Sequence, residues 1–462
     1  MIITPLKEFL PQPERDRFID WLKENSSAIH NSLEQRRGIL DQQWFKSYSE
    51  AMLGDRWDEL FLPRYIFGWY ITERVEHLLS AARQHNYLQC DLIRGDVYNI
   101  QKHSHSYQLE MAASNSSIVA QQVVLAIGSP PNKAAFLDQL ATLENSDSTR
   151  QHFCCITNMY EPSQNDNLKR VLNFLQQSRQ SNPNEARQVV IVGSNASALE
   201  TLYSFNNYGA TTDLIDKFII ISPSGEFPHP IGDDVVEANY EPHYLTTLTV
   251  QNQFTAKQIL EAVKQDIKAA LKQNQTINSI YSKISQRVIE ALNQLNYQEQ
   301  KLFVTKYGVE IGKFQRRAGI DYLNIVDKLV FEGRLQFIKG RFTGTIPLAK
   351  NQLGFEFISA RGNQTELFTS PIQVLINCAG FQDLTKSDSL LINNLIQSKI
   401  CVPNDSLGGF EMNENFEASE NFYLMGPLVA GNINRKLKVW HAESCGRIFN
   451  LSRSLAEVLV QC

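Results

Sequence analysis

The sequence contains no apolar run that approaches the length of about 18 residues needed for a membrane-spanning helix. Its N-terminus, MIITPLKEFLPQPERDRF, lacks the basic segment and long apolar core of a secretory signal. Neither sign of charge is in large excess, since the net charge is −5 over 462 residues. These absences argue against membrane and nucleic-acid partners and predict a cytoplasmic location.

Cysteine is scarce, and its seven residues show neither C-x-x-C pairs nor metal-ligand spacing. Such a dispersed set is typical of free thiols in a reducing compartment, and it argues against a dithiol–disulfide reductase. His103 and His105 lie two apart on a predicted strand, which would put both on one face. No acid or third ligand accompanies them, so the sequence predicts no metal site.

What the sequence does contain is a strand–turn–helix signature at residues 188–202, QVVIVGSNASALETL. A buried strand, a tight turn and a helix N-terminus in this order can hold a dinucleotide pyrophosphate, because the helix start offers N–H groups and a positive dipole end. Asn195 and Ala198 stand where the motif has its second and third glycines. Asn tolerates left-handed geometry and Ala can pack, so neither excludes the site. The predicted contact residues are Gly193, Ser194, Asn195, Ala196, Ser197 and Ala198.

Taken alone, this segment also fits an ordinary strand–turn–helix unit of an α/β protein. A second apolar strand at Phe218–Ile221 follows about thirty residues later and closes a β–α–β unit. The end of this second strand is where a nucleotide ribose is usually bound. It offers Ser222 and Ser224 and no charge, so both NAD and NADP stay open.

Three further apolar strands end at small residues. The strands Val123–Ile127, Val374–Ile376 and Tyr423–Met425 are followed by Gly128, Ala379-Gly380 and Gly426. A glycine at a strand end lets the backbone approach a ligand closely. A single strand of this kind is explained by an ordinary turn at its end. The joint occurrence of three such strands with the phosphate-type turn predicts a cofactor-binding constellation.

Helical periodicity dominates several other stretches. Residues 255–273, 276–296 and 318–332 are predicted helices of an insertion between α/β elements, and Lys313, Arg316 and Arg317 cluster near its end. Those cations form either a solvated face or a contact for an anionic substrate or cofactor phosphate. Ile71–Arg83 is predicted as a helix whose apolar positions, including Val75 and Leu78, form one buried face. His441, with Glu443, either lies near an isoalloxazine ring or caps a final helix at 441–460, and the capping role is the favoured prediction.

The order of these motifs resembles the flavoproteins with two dinucleotide-binding domains. LAIGSPP resembles the segment that crosses between the domains, GSNASALE the NAD(P)H turn, and INCAGF its later counterpart. FLPRYIFGWY and LMGPLVAGN are similar to the branch of FAD-dependent urate hydroxylase-like and aspartate N-monooxygenase-like proteins. The resemblance implies an α/β fold with two Rossmann-type domains and FAD and NAD(P)H as cofactors. It also implies contacts from Gly128, Gly380 and Gly426 and an anion-binding role for Arg64.

One departure from this resemblance concerns residues 1–60, where no Gly-rich turn follows a strand. We therefore expect the first domain to be incomplete at its N-terminus, either because the given start lies inside a longer reading frame or because this half was lost. The flavin pyrophosphate would then lack its helix N-terminus. The predicted organisation is a first FAD-type part at 1–135, a connector at 136–187, the NAD(P)-type unit at 188–225, a helical insertion at 226–330 and a return to both domains at 331–462.

Two functional hypotheses follow. The first is a flavin-dependent oxidoreductase of the monooxygenase type, which uses NAD(P)H to reduce FAD and hydroxylates a small molecule; no catalytic triad is expected, because the cofactor supplies the chemistry. The alternative is a truncated or degenerate nucleotide-binding protein that acts as a non-catalytic binding or sensor module. A single-cofactor dehydrogenase is disfavoured by the three small-residue strand ends.

Overall fold

The computed structural model describes most of the chain. The described residues are 6–36, 38–112, 117–130, 132, 153–161, 163–207, 213–231, 240–314, 316–349, 352–435, 437–441 and 444–461. Within them the fold is mixed α/β, as the sequence predicts. No helix in these ranges has the length and apolar character needed to cross a membrane.

Helices form the N-terminal part of the chain, and the described residues before position 97 hold no strand. These helices are α1 Leu6–Phe9, α2 Glu14–Glu24, α3 Ser26–Arg36, α4 Ile39–Leu53 and α5 Arg64–Gln84. Helix α2 buries Phe18 and Leu22 completely. These two residues lie four apart and therefore share one face of the helix.

Helix α5 is present, but the predicted buried face of its second half is wrong. Val75 and Leu78 are 47% and 49% exposed. The residues that α5 buries are Ile66 and Tyr70 in its first two turns. The ring of Tyr70 lies 4.7 Å from that of Phe18, centroid to centroid. The aromatic N-terminal half therefore makes the contact with α2, while the later apolar positions face solvent.

A small antiparallel sheet follows, formed by β1 Val97–Lys102, β2 Tyr107–Met111 and β3 Ser117–Ala120. His103 and His105 lie in the hairpin between β1 and β2, where the His103 N–H donates to the Ser106 carbonyl at 2.8 Å. The prediction that they share a strand face is therefore wrong. The chain reverses direction there, and no strand geometry aligns the two rings.

A seven-stranded sheet forms the main layer. Its strands are β5 Cys154–Ile156, β6 Gln188–Val192, β7 Lys217–Ser222, β10 Leu335–Pro347, β11 Leu353–Ser359, β12 Thr365–Ile372 and β13 Val374–Asn377. The order is β12-β11-β10-β7-β6-β13-β5, with the five strands from β10 to β5 parallel. Helices α6 Gln164–Ser181, α7 Ala196–Asn207 and α13 Ile320–Phe331 accompany it. Strands β6 and β7 pair in parallel around α7, which confirms the β–α–β unit.

A second sheet has three strands. It contains β4 Val123–Leu125, β14 Glu417–Ser419 and β15 Phe422–Leu424, in the order β14-β15-β4. Strands β4 and β15 are parallel, with Leu424 opposite Leu125. The short pair β16 Asn432–Ile433 and β17 Lys438–Val439 and the helices α14 Leu390–Gln397 and α15 Cys445–Gln461 complete this region.

The chain between strands β7 and β10 of the main sheet forms a helical region with its own hydrophobic core. Its helices are α8 His243–Thr249, α9 Ala256–Lys272, α10 Ile277–Gln294, α11 Tyr297–Leu302 and α12 Gly308–Phe314, with a π-helical turn at Phe303–Tyr307. The predicted helices at 255–273, 276–296 and 318–332 are confirmed. Strands β8 His229–Pro230 and β9 Arg317–Ala318 pair in parallel at its base.

Candidate functional site

The turn after β6, residues Gly193–Ala198, is packed tightly and is here named the closed turn. Gly193 has φ +110°, and a Cβ at this position would lie 2.1 Å from the Cys378 carbonyl oxygen. Its N–H donates to the Ile221 carbonyl at 2.8 Å. Only glycine fits between these two strand ends. Helix α7 begins within this segment, at Ala196, so the predicted strand–turn–helix geometry is confirmed.

Serine hydroxyls join the closed turn to the end of β7. The Ser194 hydroxyl donates to the Ser222 hydroxyl at 2.9 Å, and the Ser224 hydroxyl lies 3.3 Å and 3.1 Å from the two. Lys339 lies opposite Ser222 on the neighbouring strand β10. Lys339 follows β7 by more than a hundred residues, and only the pairing of β10 with β7 brings it here. The sequence around β7 therefore shows no cation at this place.

The other three predicted glycines form turns of a different kind, here named the open turns. Gly128, Gly380 and Gly426 each have φ +86°, and a Cβ at any of them would meet no atom within 4 Å. The positive φ requires glycine, because a side chain clashes with its own backbone in this conformation. Open space on the Cβ side means that each backbone turn borders a volume which the described residues leave free.

Strand pairing brings the open turns together. Gly128 and Gly426 follow β4 and β15, which are hydrogen-bonded neighbours, and the Met425 N–H donates to the Leu125 carbonyl at 3.0 Å. A β-bridge between Asn132 and Phe381 joins the chain after Gly128 to the chain after Gly380. The three glycines thus lie at the junction of the two sheets, where the carboxyl ends of the parallel strands meet.

Arg64, the predicted anion partner, has a carboxylate partner within the chain. Its Nη1 lies 3.0 Å from Oε1 of Glu200 in α7. The hydroxyl groups of Tyr322 and Tyr160 also donate to this carboxylate, the former at 3.3 Å. Burial and the charge of Glu200 raise the pKa of both phenols. A role of Arg64 toward a cofactor stays a prediction, and half of its side chain is exposed.

Arg64, Tyr160 and His441 all reach solvent. Burial by the surrounding protein is nevertheless the largest influence on the pKa of each. Burial also raises the pKa of Cys445 at the start of α15, and the charge of Arg64 offsets part of this shift.

The remaining predicted residues are separated by the fold. His441 precedes α15 by four residues, so the predicted side-chain cap at the helix start is wrong; its carbonyl instead accepts from Arg447 Nη1 at 2.8 Å. Its predicted companion Glu443 lies outside the described residues. Lys313 pairs with Glu310 along the exposed face of α12 at 2.5 Å. Arg317 belongs to β9, where its guanidinium lies 4.2 Å from the centre of the Tyr281 ring.

No group of three histidine, cysteine or acidic residues in the described part of the chain is arranged to hold a metal ion. The six described cysteines are free thiols. Burial raises the pKa of the Cys378 and Cys401 thiols to about 12, so neither carries thiolate character near neutral pH.

Comparison with protein families gives a match at the N-terminal part of the chain. Residues 5–130 match a family model described as FAD-NAD(P)-binding. Uncharacterized proteins of Mycobacterium tuberculosis and Mycobacterium bovis are 27% identical over 463 residues, covering 100% of this chain and 84% of each relative. The family match supports the two cofactors predicted from the sequence, FAD and NAD(P)H.

Solved structures with a similar arrangement include two monooxygenases and a reductase. A cadaverine monooxygenase of Erwinia amylovora bound to FAD has 11% identity and a TM-score of 0.44, with 86% of this chain and 76% of that chain covered. For an L-lysine 6-monooxygenase of Pseudomonas syringae the identity is 12%, the TM-score 0.37 and the coverage 79% and 71%. For thioredoxin reductase of Lactococcus lactis these values are 8%, 0.36, 80% and 75%. None of these TM-scores reaches 0.5. We therefore infer the function from this chain's own residues and from the family match.

Proposed function

We propose that this protein is an oxidoreductase of the monooxygenase type, which uses NAD(P)H and FAD to hydroxylate a small molecule. The observation that carries the proposal is the set of open turns. Three glycines at positive φ border free space at the junction of two sheets, as a bound isoalloxazine or dinucleotide requires. Gly333 has a positive φ and an empty Cβ side in an exposed turn, so what distinguishes the open turns is that strand pairing brings three of them together.

The closed turn supports a second nucleotide site. Behind Gly193, helix α7 presents its first N–H groups and the positive end of its dipole toward the carboxyl edge of the main sheet. Asn195 is exposed at this helix start. The buried Ala198 leaves room for α7 to pack closely on the sheet. A pyrophosphate fits at this end of α7, with its ribose near Ser222 and Ser224.

When bound, FAD supplies the redox chemistry: electrons pass from NAD(P)H to O₂, one oxygen atom enters the product and the other leaves as water. The protein would bind both dinucleotides, bring their rings together and keep bulk water from the reacting centre. The open turns would border the flavin, and the closed turn would bind the nicotinamide dinucleotide. Arg64, held by Glu200, would present its exposed guanidinium as an anion partner.

The nucleotide assignment is tested by the substitution Asn195→Asp. It places a negative charge at the N-terminus of α7 without changing side-chain size, and repulsion of the pyrophosphate should weaken NAD(P)H binding about tenfold or more. Fluorescence titration with NADH and NADPH measures this affinity. Asn165→Asp is the matched control, because Asn165 is exposed in the first turn of α6, away from the closed turn.

If Asn195→Asp and Asn165→Asp bind NAD(P)H as tightly as the wild type, the closed turn does not hold the pyrophosphate. Catalysis is tested separately with the purified protein and added FAD. NAD(P)H oxidation that consumes O₂ supports the proposal, whereas tight binding of both cofactors without any oxidation supports the non-catalytic alternative.

A further inference from the structure

The end of β7 carries a group of three serine hydroxyls. The hydroxyl oxygens of Ser194, Ser222 and Ser224 lie 2.9–3.3 Å from one another. Ser222 is buried, whereas Ser224 is exposed. In a β–α–β nucleotide site, the residue at the end of the second strand contacts the adenosine ribose. Here that residue is Ser222, so the ribose would meet a hydroxyl group at this position.

The turn that follows β7 holds these hydroxyls in place. The Ser222 hydroxyl accepts from the Gly225 N–H at 3.0 Å, and the Ser224 hydroxyl donates to the Glu226 carbonyl at 3.2 Å. The Ser222 oxygen also accepts from the Ser194 hydroxyl. Because this oxygen accepts twice, its own proton is left for Ser224 or for a ligand.

Lys339 brings a positive charge to the same place from another strand. It pairs with Ser222 in the parallel register of β10 and β7. It also packs against Gly225, since a Cβ on this glycine would lie 2.8 Å from the Lys339 Cβ and 3.0 Å from its Cγ. On the other side, the Ala360 N–H donates to the Lys339 carbonyl at 3.1 Å. The first two carbons of the lysine side chain are thus placed against the turn that holds the serines.

The charge of Lys339 is available to a ligand. The side chain is exposed, and it forms no ion pair with a carboxylate of the described residues. A lysine ammonium attracts phosphate as a compact point charge, and serine hydroxyls donate hydrogen bonds to phosphate oxygens. Lys339 and the two serines at the end of β7 therefore offer the contacts that a phosphate on the ribose needs.

Glu226, the acid that follows Gly225, is the rival for this place. An acid at the ribose binds the 2′-hydroxyl of NAD, whereas a cation suits the 2′-phosphate of NADP. Glu226 stands four residues beyond the end of β7, while Lys339 is paired with Ser222 at the end itself. The strand pairing therefore favours the cation.

We propose that Lys339, together with the hydroxyls of Ser222 and Ser224, binds the 2′-phosphate of NADPH and makes this protein select NADPH over NADH. The ammonium supplies the charge partner, and the serines supply hydrogen-bond donors. NADH carries a hydroxyl in place of this phosphate and would lose the charged contact. The inference rests on the proposed function, because it names the cofactor of the nucleotide site at the closed turn.

The test compares the affinities of NADPH and NADH by fluorescence titration of the purified chain, without turnover. The wild type should bind NADPH more tightly by about tenfold or more. Lys339→Gln should weaken NADPH binding about tenfold and leave NADH binding unchanged, since only the phosphate contact is lost. Lys217→Gln is the matched control, because Lys217 lies at the opposite end of β7, and it should change neither affinity.

A smaller ligand separates the phosphate from the rest of the dinucleotide. Adenosine 2′,5′-bisphosphate should displace NADPH from the wild type and should bind Lys339→Gln about tenfold more weakly. Adenosine 5′-monophosphate, which lacks the 2′-phosphate, should bind the two proteins equally.

Three results overturn this inference and leave the nucleotide site standing. They are equal affinity of the wild type for NADPH and NADH, an NADPH affinity that Lys339→Gln leaves unchanged, and an equal loss for both cofactors in that variant. Weaker NADH binding by Glu226→Gln would assign the ribose to the acid and would also overturn it. A folded wild type that binds neither cofactor overturns the inference together with the nucleotide site of the proposed function.

Discussion

The closed turn and the open turns use the same residue type at the same place, just after a parallel strand, yet they need glycine for different reasons. At Gly193 a side chain would collide with the backbone of the neighbouring strand, 2.1 Å from the Cys378 carbonyl oxygen. At Gly128, Gly380 and Gly426 a side chain would point into free space. The first glycine is therefore required by protein packing, and the other three are required by backbone conformation beside an open volume.

Because of this difference, substitutions in the two kinds of turn affect the stability of the fold and the binding of a ligand to different extents. A substitution at Gly193 disturbs the contact between β6 and β13, so its effect on NAD(P)H binding is mixed with an effect on folding. An alanine methyl in an open turn meets no atom of the described residues within 4 Å, so its effect on a ligand can be separated from the backbone strain by a control at another glycine with positive φ. The open turns are thus the better place to test for a cofactor.

The largest effect is expected at the closed turn. Gly193→Ala should lower the free energy of unfolding by about 3–5 kcal/mol, because the methyl group overlaps a backbone oxygen and the backbone is at positive φ. Urea denaturation followed by circular dichroism measures the loss. Gly312→Ala is the control: Gly312 lies in α12 with no atom near its Cβ position, and alanine there should be neutral or slightly stabilising. A stable Gly193→Ala variant would show that the turn is not closed.

The next effect distinguishes the open turns from simple turns. Gly426→Ala should lose about 1–2 kcal/mol through backbone strain alone. It should also weaken FAD binding at least tenfold, because the methyl group occupies the ligand's space. Gly333→Ala is a close match, since Gly333 has φ +68°, no atom within 4 Å of its Cβ position, and lies in the turn after α13. Flavin titration of both variants, with denaturation as reference, makes the comparison. Equal flavin affinity would remove Gly426 from the site.

A smaller effect is expected from the serines beside the closed turn. Ser222→Ala should lower the free energy of unfolding by about 1 kcal/mol, since it removes the buried hydrogen bond from Ser194. Ser224 remains 3.3 Å from Ser194 and limits the loss. Thermal denaturation measures it, with Ser224→Ala, an exposed position, as the milder reference. A loss as large as that of Gly193→Ala would mean that the serines, and not the backbone contact, keep this turn closed.

The smallest expected effect concerns His441 and pH. The folded-state pKa of His441 is about 4, below the ordinary value of 6.5. The unfolded chain therefore binds the proton first as pH falls, and stability is lost between pH 6.5 and about 4. Solvent exposure of the ring keeps this loss modest. In the His441→Gln variant the melting temperature should fall less across this pH range than it does in the wild type. An identical pH profile would show that neither burial nor the charges of Arg447 and Arg316 lower the pKa of His441 in the folded protein.

Much of the framework is predictable from the sequence because its signals are local. Strands β6, β7 and β13 are continuous apolar runs, as expected for strands buried on both faces. The open turns follow from strands that end at glycine. Strand β5, three residues inside a polar stretch, was not predictable, since its burial depends on pairing with the distant β13. The same holds for β12, an antiparallel edge strand whose residues are largely exposed.

The site residues that were missed are all products of long-range contacts. Glu200 was identified only as part of a helix, while its partners Arg64, Tyr160 and Tyr322 come from three other segments. Lys339 reaches Ser222 through the β7–β10 pairing. The error at α5 has the same origin: periodicity shows that a helix has an apolar face, but the partner that covers it, here α2 against the first two turns, is decided by tertiary packing.

The central claim is that the open turns border a flavin site, and titration of the purified 462-residue chain with FAD tests it most directly. The account predicts saturable binding at one FAD per chain, retained by Gly333→Ala and weakened at least tenfold by Gly426→Ala. A folded protein that takes up no FAD, or takes it up equally well in both variants, would contradict it.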